Sequence, residues 1–287
     1  MNTSNIKSVW ARGRQHVLAL AMAGLLGVGL TSGAAAQRSV EDIKSSGVLR
    51  VGSQVSQVPW GYTDASGKLT GFDIELSRMV AEDIGVELET TPVTSSNRVA
   101  TLLTGQVDAL AAVMGIFPDR QKVVLFSRPY VNNDTVFIGR TDLDVKGYKD
   151  LSGLRVGVPR GTPQDIGLTE AAPEGATIQR FDDDATTVQA LLSGQVDVIG
   201  GASTQMGNID QVAGSGRFDQ KFVVARAFNA FAVQPNNREL ADYLSDFIAR
   251  KLESGEIAEL YAKWIGGELS ELPTTGEGPE ALPISVE

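Results

Sequence analysis

Leu102-Leu103-Thr104-Gly105-Gln106-Val107-Asp108-Ala109 recurs further along the chain as Leu191-Leu192-Ser193-Gly194-Gln195-Val196-Asp197-Val198. Each copy follows a stretch with helical periodicity, Asn97 to Leu103 and Thr186 to Leu192, and each leads into an apolar run. Gly105 and Gly194 stand where a helix is commonly ended by a left-handed glycine, and the Val-Asp step after them opens a short buried strand. A second pair lies upstream: Leu49-Arg50-Val51-Gly52 and Leu154-Arg155-Val156-Gly157 each follow a glycine-marked turn. Strand, helix, then Leu-Leu-x-Gly-Gln-Val-Asp and strand is thus written twice. A solenoid needs about three or more stacked units. Two copies instead predict two α/β lobes, each a mostly parallel sheet flanked by helices. In such sheets ligands sit at the carboxyl ends of strands, near helix N-termini.

The remaining sequence narrows the function classes. The chain has 287 residues, 42% of them hydrophobic and 21% charged, with no cysteine and one histidine, His16. Residues 1–36 carry a basic start (Lys7, Arg12, Arg14), an apolar run from Val17 to Leu30 and a small-residue stretch ending in Ala36. That is the pattern of a signal peptide cleaved before Gln37, and the run is short of the roughly 20 residues a membrane span needs. Cleavage removes the only histidine and three basic residues, leaving 22 Lys+Arg against 35 Asp+Glu and a net charge near −13. Such a surface argues against nucleic acid or anionic lipid as partner and for a soluble monomer. Without Cys or His, no thiol or imidazole chemistry is available, and neither a metal nor a cofactor is expected. Asn237 to Ser254 and Ile257 to Ile265 read as two C-terminal helices. The residues after Leu269, rich in Pro, Gly and Glu, read as a loosely attached tail, 271–287.

Further motifs carry a resemblance. Val48-Leu49-Arg50-Val51-Gly52, Pro59-Trp60-Gly61-Tyr62, Gly71-Phe72-Asp73, Pro118-Asp119-Arg120, Phe126-Ser127-Arg128-Pro129-Tyr130 and Glu253-Ser254-Gly255 follow one another in the order found in periplasmic solute-binding proteins of the polar amino-acid ABC transporter type, the family 3 extracellular solute-binding proteins. The chain resembles them over nearly all of residues 40–267. The resemblance implies the type II periplasmic binding fold, hinged by two crossover strands. The first lobe would be 37–137 plus 229–270 and the second 138–228, closing on an amino acid or related small carboxylate. It also implies a periplasmic location and the permease subunits of an ABC transporter as membrane partner.

The family pattern places the ligand α-carboxylate on the arginine of a Thr-x-x-Arg segment, here Phe117-Pro118-Asp119-Arg120. A guanidinium suits that role because its planar donors meet both carboxylate oxygens. From the residues alone, a surface arginine paired with Asp119 or Asp108 is the competing reading. The resemblance further implies that Gly115 offers its carbonyl to the ligand ammonium, and that Thr162 and Gln164 of Gly161-Thr162-Pro163-Gln164 present a helix N-terminus to the carboxylate. Ser95-Ser96-Asn97-Arg98 is similar to the segment with which the glutamate/aspartate branch approaches an acidic side chain; Gln54 stands where that branch has a second arginine. Trp60 and Phe117 are candidates for an apolar or cation–π wall, or else for ordinary core. Ala202 occupies the position where relatives carry an ammonium-binding aspartate, which leaves open a ligand without a primary amine. Asp73 and Asp108 read as a cap and a turn former, not as catalytic carboxylates. The competing function is a periplasmic enzyme of the cyclohexadienyl-dehydratase kind on the same fold.

Overall fold

A computed structural model describes residues 37–285; the expected leader, 1–36, lies outside the described residues. Two mixed sheets organise the chain. The first runs in the order Glu87–Val93, Val48–Gln54, Ala109–Leu110, Ala232–Val233, Leu125–Phe126. The second runs Thr177–Phe181, Arg155–Pro159, Val198–Ala202, Val131–Arg140, Phe218–Asn229, Ile284–Ser285. In each, three strands are parallel: the Leu-Arg-Val-Gly strand lies between its neighbour and the strand that follows Val-Asp. The remaining strands pair antiparallel, so "mostly parallel" holds only for the half of each sheet built by the repeat. The reason is connectivity. Helical crossovers give parallel neighbours, whereas the chain goes out along Val131–Arg140 and, after the rest of the second sheet, comes back along Phe218–Asn229, which pairs with it antiparallel.

The repeated residues perform the same work twice. Asp108 Oδ2 accepts the main-chain N–H of Arg50 (2.9 Å) while its N–H donates to the Arg50 carbonyl (2.8 Å). Asp197 does the same to Arg155, with 2.9 and 2.8 Å. Both aspartates also hold the arginine side chain, Arg50 Nη2 at 2.5 Å and Arg155 Nη2 at 2.6 Å. Asp108 and Asp197 are therefore clamps between neighbouring strands, and the reading of Asp108 as a turn former is corrected. The glycine of each first motif makes room for this pairing. A Cβ on Gly52 would meet Leu110 at 2.7 Å, and one on Gly157 would meet Phe181 at 3.0 Å and Val196 at 3.2 Å. Gly105 and Gly194 have φ of 69° and 75°, as the helix-ending reading requires.

Each sheet has its own core. Helix Phe72–Ile84 buries Phe72, Leu76 and Val80 on the first sheet beside Leu240, Leu244, Phe247 and Ile248 of helix Arg238–Glu253. The i, i+4, i+7, i+8 spacing of the latter places all four on one face. Val136, Ile138, Val188, Leu191, Ile199 and Ile209 form a core of the second. Val131 belongs to the first core and Val136 to the second, although both lie on one strand; Phe228 and Phe218 divide in the same way on its partner. Two paired strands therefore connect the lobes, the arrangement of a type II periplasmic binding protein.

Residues 271–285 are not loosely attached, contrary to the sequence reading. Ala281 is fully buried in a first-lobe core cluster, and Ile284–Ser285 adds a strand to the second sheet. The polar composition misled because main-chain pairing and one small apolar residue hold the segment.

The clamps differ in burial: the Asp108 side chain is 1% exposed and receives both Arg38 and Arg50, while Asp197 is 19% exposed with one partner. Asp108→Ala strands two arginines and should lower the unfolding free energy by about 3–5 kcal/mol. Asp197→Ala should cost about 1 kcal/mol. Urea denaturation of the two variants checks the ordering.

Candidate functional site

A polar cavity, open to solvent, lies where the carboxyl ends of the two sheets face each other; its lining surrounds about 410 Å³ of space, open solvent included. Nine of the ten residues anticipated from the sequence line it: Gln54, Ser95, Arg98, Gly115, Phe117, Arg120, Thr162, Gln164 and Ala202. Trp60 does not. It is fully buried against Phe72, with ring centroids 5.5 Å apart, and its Nε1 donates to Thr204 Oγ1 at 3.0 Å. A tryptophan in Pro-Trp-Gly-Tyr could serve as wall or core, and the aromatic cluster of Phe72, Tyr130 and Phe231 beneath it decides for core.

Arg120 is held by two carbonyls. Nη1 donates to the Gly115 oxygen at 3.0 Å and Nη2 to the Gly161 oxygen at 3.5 Å, one from each lobe. Its guanidinium carbon lies 5.3 Å from the Phe117 ring centroid, so Phe117 faces the protein's own cation. Among the described residues Arg120 has no carboxylate in ion-pairing reach. Burial, and then the charge of Arg98, push its pKa well below the ordinary arginine value. The Gly115 carbonyl, expected to meet a ligand ammonium, is instead engaged by Arg120.

Arg98 has a different role from the one its motif suggested. It is 3% exposed, and its Nη1 reaches Gln54 Oε1 (3.0 Å), the Val113 carbonyl (3.2 Å) and the Ala112 carbonyl. These bonds hold the segment that carries Val113, a β-branched residue at φ 50°, in the left-handed region that such side chains avoid. Asp73 holds the same residue from the other side. Its Oδ2 accepts the Val113 N–H at 2.8 Å and its Oδ1 accepts the Tyr130 hydroxyl at 2.9 Å. Asp73 is therefore a clamp on the cleft-lining segment, and its reading as a cap is corrected.

Thr162 caps helix Pro163–Ala171. Its Oγ1 accepts from Asp165 N at 3.3 Å and donates to the Pro159 carbonyl at 2.8 Å, so the hydroxyl is internally engaged and the helix start is what it brings to the cavity. Gln164 Nε2 donates to the Gly201 carbonyl at 2.6 Å. Ala202 ends its strand at the cavity with no acid to offer.

The acid comes from elsewhere. Asp184, in the first turn of helix Asp184–Leu192, is 6% exposed and lines the same cavity. Its Oδ2 accepts from Gln54 Nε2 (2.9 Å) and Ser95 Oγ (3.2 Å) across the cleft, and its Oδ1 accepts from Gln205 Nε2 (2.9 Å). Burial raises its pKa, partly offset by Arg98. The available signal was Asp182-Asp183-Asp184 ahead of a helix, more acid than a cap uses; Asp183 alone is the cap. Gln57, Asn133, Thr135 and Asn229 also line the cavity without having been anticipated.

Two lobes joined by a pair of strands, with a polar cavity at the facing strand ends, define the class of two-lobe solute-binding proteins. The chain belongs to the bacterial extracellular solute-binding proteins, family 3, whose family model matches residues 49–267. It is 27% identical over 266 residues to the L-cystine-binding protein TcyJ of Escherichia coli (strain K12), covering 89% of this chain and 98% of that one. Among solved structures it is similar to the solute receptor for L-cysteine of Neisseria gonorrhoeae, with a TM-score of 0.75, 26% identity, and 86% and 100% of the two chains covered. It is also similar to the ancestral amino acid-binding protein AncCDT-1, a precursor of cyclohexadienyl dehydratase, with a TM-score of 0.73, 28% identity, and 79% and 99% covered.

Burial raises the Asp73 pKa to about 6, against the bonds from Val113 and Tyr130 that lower it. The folded protein then binds this proton more tightly than the unfolded chain does, so the Asp73 contribution falls as pH rises from about 4 to about 6 and stays lost above that. Asp73→Asn should flatten this part of the stability curve. Urea midpoints of both proteins between these limits and neutral pH check it.

Proposed function

We propose that this protein is the periplasmic substrate-binding component of an ABC importer and captures an amino acid by closure of the lobes 37–137 plus 229–270 and 138–228. The observation that carries the ligand class is Arg120, a guanidinium between the lobes with carbonyl partners and, among the described residues, no counter-charge. A ligand carboxylate supplies that charge and gains bidentate, charge-assisted bonds in return. The start of helix Pro163–Ala171 favours the same anion through its dipole.

Asp184 is assigned to the ligand ammonium in place of the acid missing at Ala202. A cation there relieves the burial cost that raises its pKa, and the cross-cleft bonds from Gln54 and Ser95 keep the carboxylate aimed between the lobes. With Asp184 present, a ligand lacking a primary amine loses its motive. The lean toward an acidic side chain weakens as well, because Arg98 is spent on Gln54 and on main-chain carbonyls. Relatives named for L-cystine and L-cysteine make these two the first ligands to try, followed by L-arginine and L-glutamine. Delivery to membrane permease subunits and export through the 1–36 segment complete the reading. Binding, not turnover, is the proposed activity, and recovery of the ligand unchanged after incubation with the protein separates it from dehydratase chemistry.

Mass spectrometry of ligand retained through purification, followed by a thermal-shift screen of these amino acids, tests the assignment. At a hundredfold excess over Kd a true ligand adds about 2.7 kcal/mol, a rise in Tm of roughly 5–10 °C. No shift with any α-amino acid would sink the reading. Arg120→Ala should weaken binding of the ligand so found by roughly 30-fold or more, from the 2–5 kcal/mol lost when a buried charge pair loses one partner. Asp184→Asn should weaken it about tenfold or more while retaining binding of the corresponding des-amino acid. Calorimetry reads both.

A further inference from the structure

The segment beyond residue 267 lies outside the family match, yet it touches both lobes. On the first lobe, Gln121 Nε2 donates to the Gly276 carbonyl at 3.0 Å, and Glu277 pairs with Arg238 at 2.5 Å. Gly276 packs so closely on the Ser127 carbonyl that a Cβ would stand 2.0 Å from it, a contact only glycine permits. Ala281 then closes a short 3₁₀ turn, fully buried among the apolar residues under the first sheet. Three residues later the chain is on the second sheet: Ile284 and Ser285 pair antiparallel with Arg226 and Ala225. Between these anchors, Leu282 and Pro283 wall a groove on the outer side of the cleft, opposite Phe117, Arg120, Pro163 and Ile166.

We propose that Thr274–Ser285 is a third tie between the lobes, a strap that limits how far the cleft opens and narrows the way out past Arg120. Three observations carry this. One anchor is buried in a first-lobe core, and the other is a main-chain pairing on the second sheet. The three steps from Ala281 to Ile284 reach at most about 11 Å when fully extended, so the strap has little slack. And the strand it pairs with, Phe218–Asn229, is one of the two that cross between the lobes. Opening that carries Arg226 away from the Ala281 pocket pulls on main-chain hydrogen bonds at one end or an apolar anchor at the other. The strap therefore biases the protein toward the closed arrangement and holds the carboxylate side of the cavity shut. The inference rests on the reading that the lobes open and close, but not on which solute they hold.

The chain has no cysteine, so Glu82→Cys on the first lobe and Glu174→Cys on the second give one pair of spin-label sites, both exposed. Pulsed dipolar spectroscopy would compare three ligand-free proteins carrying this pair: the full chain, the chain ended after Leu269, and the full chain with Ala281→Asp. The expected result is a longer and broader inter-lobe distance distribution in both altered proteins. If the buried aspartate unfolds the first lobe, the shortened chain, which keeps all of residues 49–267, decides alone. A segment that merely covers a sheet edge would lower the unfolding midpoint and leave the distance unchanged, and that result would overturn the strap. Because no cleft residue is altered, it would do so without touching ligand capture, which the thermal-shift screen tests separately.

Discussion

Charge balance between the lobes is the constraint on which the rest depends. The cavity is lined by two guanidiniums, Arg98 and Arg120, and one carboxylate, Asp184. Arg98 lies in the field of Asp184 and donates to Gln54 and to main-chain carbonyls, so its charge is used within the protein. Arg120 is left with carbonyls alone. A protein of net charge −10 thus keeps a local positive excess in the cavity between the lobes. Desolvation strengthens the attraction there, and the acidic exterior does not oppose it over more than about 8 Å in physiological salt.

Much of the surrounding structure keeps those charges in place. Asp73 and Arg98 grip Val113 from opposite sides, fixing a left-handed backbone next to Gly115, whose carbonyl in turn orients Arg120. The Trp60–Thr204 bond and the Gln54–Asp184 bond run between the lobes. The lobes as they stand thus share hydrogen bonds of their own, and on the proposed reading a ligand adds to them by supplying an anion to Arg120. The strap acts on the same equilibrium from outside the cavity.

The repeat was legible because both copies answer to one local requirement. A helix must end, the chain must reverse, and a strand must lock beside its neighbour; a C′ glycine and an aspartate that clamps the adjacent arginine do this wherever they occur. The cleft-lining residues were legible through family motifs, and nine of ten do line the cavity. The misses share a cause. Trp60, Asp73 and Asp108 sit in motifs whose sequence fits several environments, and burial chose among them. Asp184 was hidden because its importance lies in pointing at Gln54 and Ser95, residues far away in the chain. The tail was misjudged because composition measures how much apolar surface a segment has, not whether a neighbouring strand edge is free to pair with it.

Through a family motif the sequence pointed to Arg120 as a candidate cation for a carboxylate, and by itself it determined two α/β halves, their order along the chain and the acidic exterior. These follow from local periodicity, turn chemistry and residue type, which act over a few residues. Only the tertiary structure decided which charges are spent and which are free. Arg98 and Arg120 are equal as sequence, and they differ because one has acceptors packed around it and the other faces the space between the lobes. The same holds for the carboxylate beside them, since Asp184 reaches the cavity from a helix and not from the strand end at Ala202, a placement that exists only once the chain has folded.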